Sequence, residues 1–218
     1  VDNHDFHALL TDGMSVEYRH ADGSIRTAQA KLFDFDDPSN NDFVAINQLT
    51  VIQGDINRRP DIVLYVNGLP LAVIELKNAV GSKANLRAAF NQVQTYKQQI
   101  SSLFRFNELC IISDGLDARV GTITAPFDRF VPWKTVNGEQ NHGLVPELEV
   151  MINGLLAPAR LLDVVRNFIV FERDGKDDAN FVKKIAAYHH YWAVNKAVER
   201  TVEAAKPDGD RRAGVVWH

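Results

Sequence analysis

The chain of 218 residues holds a single cysteine, Cys110 in LCIISDG. One thiol excludes an intrachain disulfide and fits a reducing, cytoplasmic setting. Its apolar surroundings predict a small core residue. No apolar run reaches the ~18 residues that a membrane-spanning helix needs. The opening VDNHDFHALL lacks the basic and apolar regions of a secretory leader. An excess of positive charge is missing too: the net charge is −4, so no global basic field advertises nucleic acid. That balance leaves the partner undecided, because positive charge is often confined to one groove. What remains, 45% hydrophobic and 24% charged, is ordinary globular composition.

Turn signals divide the chain. VEYRHADGSIRTAQAKLFDF (16–35) alternates loosely around Asp22-Gly23 and predicts a hairpin; DDPSNND (36–42) predicts a loop. FVAINQLTVIQG (43–54) reads as a strand region. DIVLYV and LPLAVIELK flank Asn67-Gly68, a strong hairpin signal, although Pro70 trims the start of the second strand. In LRAAFNQVQTYKQQI (86–100), Leu86, Phe90, Val93, Tyr96 and Ile100 recur at helical spacing. ELCIISDG (108–115) is a compact apolar strand after that helix, so a crossover placing it parallel to an earlier strand is expected. Strand, strand, helix, strand predicts an α/β core with a mixed central sheet flanked by helices.

Residues 117–146 are turn-rich and read as irregular. Residues 147–171 carry helical periodicity interrupted at Gly154 and Pro158. Residues 177–205 read as one long amphipathic helix with Phe181, Ile185, Tyr188 and Trp192 on its stripe. AGVVWH (213–218) reads as the start of a buried strand cut short.

One stretch does not fit a plain core strand. In VIELKN (73–78) Glu75 and Lys77 interrupt Leu71, Ala72, Val73, Ile74 and Leu76, and charges are rarely buried without partners. Residues two apart share a strand face, so Glu75 and Lys77 project together. Asp61 stands at the mouth of the preceding strand, and the Asn67-Gly68 turn folds that strand back alongside. Two carboxylates and one ammonium are therefore expected to meet on one edge of the sheet. Hard oxygen ligands suit Mg²⁺, which can polarise a phosphoryl oxygen and acidify a bound water. Lys77 could orient or deprotonate that water, or neutralise transition-state charge. The bland alternative is a solvated cross-strand pair beside ordinary turn chemistry at Pro60-Asp61.

The surrounding motifs carry a resemblance. Asp61, Glu75, Leu76 and Lys77 match the PD-(D/E)xK nuclease motif, and Gln92 and Tyr96 in QVQTY match the Q-x-x-x-Y motif of its RecB-like branch. NNDFVAINQLTVIQGDINRRPDIVLYVNGLPLAVIELKN, FNQVQTYK, ISDGLDARVGT and GDRRAGVVWH resemble the restriction (R) subunit of type I restriction–modification enzymes, through essentially the whole chain. The resemblance implies a restriction-endonuclease-like core over 1–146, a helical linker over 147–176, and the start of a superfamily 2 motor over 177–218, truncated before its phosphate loop. No G-x-x-x-x-G-K-[ST] occurs here, so ATP would serve only the full-length subunit. It implies Mg²⁺ held by Asp61, Glu75 and the backbone carbonyl of Leu76, with Lys77 as catalytic lysine. Gln92 and Tyr96, one helical turn apart, would contact or position the DNA backbone. Alone, Tyr96 reads equally as core packing.

The implied activity is Mg²⁺-dependent phosphodiester hydrolysis of unmodified double-stranded DNA, coupled in the full subunit to ATP-driven translocation. The implied partners are methyltransferase and specificity subunits, with no membrane. A catalytically idle docking module and a stand-alone repair nuclease are the alternatives. His190 departs from the family, many of whose members carry glutamine there. His189-His190 face different ways on a helix and read as packing or surface residues, and His4 and His7 as surface residues.

Overall fold

The fold is that of a computed structural model, which describes residues 2–78, 84–139, 145–175 and 177–214. Helix α1 (Asn3–Asp12) opens the chain, its first turn capped where the Asp2 side chain accepts from the Asp5 amide. Strands β1 (Met14–Arg19) and β2 (Ile25–Ala30) form the antiparallel hairpin expected around Asp22-Gly23. There follow β3 (Phe43–Asn47), the short pair β4 (Val51–Gln53) and β5 (Ile56–Arg58), then β6 (Ile62–Val66) and β7 (Leu69–Leu76). Next come α2 (Ala84–Gln99), the one-turn α3 (Ser101–Phe104), β8 (Leu109–Ser113) and β9 (Ala118–Gly121). Helices α4 (Glu147–Asn153) and α5 (Pro158–Asn167), strands β10 (Ile169–Asp174) and β11 (Asp177–Ile185), and helix α6 (Tyr188–Ala205) complete the order.

The central sheet runs β3-β6-β7-β8-β9. All pairs are antiparallel except β7 with β8, the expected parallel crossover through α2. The turn between β6 and β7 places Asn67 at φ 50° and Gly68 at φ 80°. Both central residues are left-handed, which matches the twist of tightly joined strands. Asn67 is further fixed by its side chain, which accepts from the Asp42 amide and donates to the Leu32 carbonyl.

Alternation along β7 and β8 sorts the core into two layers. Ala72, Ile74, Leu109 and Ile111 pack in one cluster with α1, α4, α5 and Tyr191 of α6. Val73, Cys110 and Ile112 pack in the other with Leu86, Val93, Tyr96 and Ile100 of α2. The strand period of two thus sends Glu75 toward the α2 layer, together with Val63 and Val73.

Three expectations are corrected. Residues 177–205 are not one helix: β11 occupies 177–185, and α6 begins at Tyr188. Phe181, Lys183 and Ile185 alternate on one strand face, and the spacing of Phe181 and Ile185 suits either period. Residues 117–146 are less irregular than expected, since β9 joins the sheet and Val131 bridges back to Val120. His7 is no surface residue; it is 8% exposed and bonds Glu108 at 2.9 Å. His4 stacks on Phe181. Most of the strand expected at 213–218 lies outside the described residues. Among the described residues, no helix is long and apolar enough to cross a membrane.

Candidate active site

Glu75 sits at the last turn of pleat in β7, one residue beyond the Ile62–Ile74 pair. Continuing that register puts Asp61 directly opposite Glu75. The site therefore lies at one end of two interior strands rather than on an edge strand. Asp61 is fixed at both carboxylate oxygens. Oδ2 accepts from the Leu76 amide at 2.8 Å, and Oδ1 accepts from the Gln48 side-chain amide at 2.7 Å. The backbone agrees: the Gln48 amide donates to the Asp61 carbonyl at 2.8 Å.

Glu75 is 2% exposed. The Lys77 ammonium donates to its Oε1 at 2.5 Å, while its Oε2 is buried and meets no hydrogen-bond donor among the described residues. Burial lifts the Glu75 carboxyl above the ordinary glutamate range; the Lys77 hydrogen bond opposes that and the Asp61 charge adds to it. Lys77 remains a third exposed, so its ammonium reaches both the buried carboxylate and solvent. Its amide donates to the Ser113 carbonyl at 2.8 Å, extending the parallel pairing one residue past Leu76.

Tyr96 closes the site from α2. Its ring belongs to the second core cluster, and its hydroxyl donates to the Arg59 carbonyl at 3.3 Å. The hydroxyl also faces the Glu75 carboxylate, which adds to the electrostatic coupling between the two groups. Burial, then the charges of Glu75 and Asp61, hold the Tyr96 phenol well above its usual range. Gln92, half-buried one turn earlier, lies beside the Tyr96 hydroxyl and opposes that rise. Nearby, the Arg58 guanidinium donates to Gln99 at 2.5 Å, so α2 grips the strand entrance at a second point.

The structure thus brings together Asp61, Glu75, Lys77 and Tyr96, with Gln92 beside them. Two carboxylates, one with an unbonded oxygen, are the donors a hard divalent cation takes. A buried carboxylate oxygen without a donor is costly unless something compensates it. A cation between Asp61 and Glu75 would compensate it; the residues fit such an ion. Sequence reasoning missed Gln48. An exposed glutamine just past a strand carries no signal of its own, and only the fold puts it on Asp61.

A family model described as "Type I restriction enzyme R protein N terminus" matches residues 1–129. The chain is 46% identical, over its whole length, to the "Type I restriction enzyme HindI endonuclease subunit" of Haemophilus influenzae and covers 21% of it. It is 28% identical, over 98% of its length, to a Methanocaldococcus jannaschii protein with the provisional name of type I restriction enzyme MjaIXP endonuclease subunit, covering 22% of that protein. A Staphylococcus aureus relative, the "Type I restriction enzyme SauCOLORF180P endonuclease subunit", is 25% identical over 82% of the chain, which covers 18% of it. The chain spans about a fifth of the length of these relatives. With its mixed α/β core and the matched N-terminal region, the chain belongs to the family of type I restriction enzyme R protein N termini.

Proposed function

We propose that this chain is the DNA-cleaving part of a type I restriction subunit. The observation that carries the reading is the meeting of Asp61, Glu75 and Lys77 at the end of β6 and β7, with one oxygen of buried Glu75 left without a donor among the described residues. Asp61, Glu75 and the Leu76 carbonyl would hold Mg²⁺. When bound, that ion supplies Lewis-acid polarisation of a phosphoryl oxygen and a water of lowered pKa.

The chain's own groups do the rest. Lys77 presents a charged, part-exposed ammonium that neutralises charge building on the phosphoryl oxygens. The Leu76 amide holds the Asp61 carboxylate in one orientation. Tyr96 fixes the Arg59 carbonyl, and so the approach of the strand to Asp61. Gln92, half-buried on α2, would meet the DNA backbone in this reading. In this reading the substrate is unmodified double-stranded DNA, and methyltransferase and specificity subunits supply recognition. Residues 177–218 open a motor that uses ATP in the full-length subunit.

Glu75→Ala and Lys77→Ala are expected to abolish DNA cleavage by the full-length subunit assembled with its partners, with the fold intact by circular dichroism. Undiminished cleavage by either variant would end the proposal.

A further inference from the structure

Gln48 is strained and doubly bonded to one residue. Its φ is 52°, one of three left-handed non-glycine residues among those described. Unlike Asn67, it sits in no two-residue hairpin that demands this conformation. A left-handed residue with a long side chain is disfavoured because its Cβ crowds the following carbonyl oxygen, and such outliers persist where surrounding structure imposes them, often at functional sites. Here the conformation turns the side chain back over β6. The Gln48 amide meets the Asp61 carbonyl at 2.8 Å, and its Nε2 meets Asp61 Oδ1 at 2.7 Å. The next residue, Leu49, packs into the core layer under α2 and anchors the turn.

Asp61 would otherwise be held at one oxygen only, by the Leu76 amide. A carboxylate fixed at Oδ2 alone can still swing about its side-chain torsions and so change its orientation toward Glu75. The Gln48 donor removes that freedom. It is also neutral, so it orients the acid without competing for its charge, as a lysine or arginine would.

We propose that Gln48 is a positioning residue for the site, a neutral donor that aims the Asp61 carboxylate at the cation held with Glu75. This rests on the metal-dependent reading of Asp61 and Glu75 above. Groups that orient metal-binding carboxylates typically change metal affinity by ten- to a hundred-fold when removed.

The test is Mn²⁺ binding, by calorimetry and by the spin-resonance signal of free Mn²⁺, to the full-length subunit and its Gln48→Gly, Gln48→Asn and Asp61→Asn variants. Glycine relieves the left-handed strain and deletes the donor; asparagine tolerates the conformation but is one methylene too short. Both are expected to weaken Mn²⁺ binding roughly tenfold or more, while Gln48→Gly keeps or raises the melting temperature. That opposition separates positioning from mere structural support. Wild-type Mn²⁺ affinity in both Gln48 variants, with binding lost in Asp61→Asn, would overturn the role of Gln48 alone. No Mn²⁺ binding by the unaltered protein would overturn the metal reading and this inference with it.

Discussion

Glu75 gives Lys77 one carboxylate oxygen at 2.5 Å and keeps the other buried without a donor among the described residues. Such an arrangement favours function over stability, because burial has lifted the carboxyl above its ordinary range. Glu75→Gln removes the buried charge at constant shape and leaves Lys77 partly solvated. The variant is expected to be inactive, yet more stable by about 1 kcal/mol without divalent cations. Urea denaturation in chelator measures this. A loss of stability instead would mean that the Lys77 pair outweighs the cost of burying Glu75.

A second buried charge pair should behave in the opposite way. Lys183 of β11 is 1% exposed, and its ammonium lies 2.5 Å from Glu108 and 3.0 Å from both the Asn3 side chain and the Asn107 carbonyl. Glu108 also meets His7, and its other oxygen is buried with no hydrogen-bond donor among the described residues. Lys183→Met strands that carboxylate and is expected to cost about 3–5 kcal/mol. Adding Glu108→Gln should restore part of the loss, since the stranded charge is then gone. Additive losses in the double-mutant cycle would show that the two side chains act independently.

Alkaline stability offers a third test, through Cys110. Burial pushes its thiol up to about 12 from the ordinary 9.0. Between those values the native state keeps a proton that the unfolded chain has released. Stability must therefore fall as pH rises, by up to about 1.4 kcal/mol per unit. Lys183 contributes the opposite slope, because burial lowers its pKa and the unfolded chain then holds the extra proton. Comparing the protein with Cys110→Ala isolates the thiol. The stability advantage of Cys110 over alanine is expected to shrink by roughly 1 kcal/mol from about pH 8.5 to about pH 10. A constant gap in urea midpoints would contradict this account.

How much of this was legible beforehand depended on whether a feature announces itself locally. Asn67-Gly68 states its turn in two residues, but the turn alone would set Asp61 opposite Ile74; a register shift between Leu64 and Tyr65, which no local residue announces, brings it opposite Glu75. Helix α2 declares itself by apolar spacing, and Gln92 and Tyr96 come with it. Residues 177–185 hide their strand, because an apolar stripe through Phe181 and Ile185 suits either period and Lys183 reads as a solvated position. Nothing near Lys183 in sequence hints that its partners are Asn3, His7's acceptor Glu108, and Asn107. Helix α1 did leave a signal: Asp2 as cap, then Phe6 and Leu10 at a four-residue interval. Gln48 left none, since its importance lies wholly in what the fold sets beside it.

The ammonium of Lys183 has a practical side. Asn3 and His7, its lid and its neighbour's second donor, both belong to the first dozen residues. Those residues look dispensable to anyone trimming a protein for expression. Deleting them would open a buried ionic knot to water beneath the β10–β11 hairpin, and would loosen the hold of that hairpin on the central sheet.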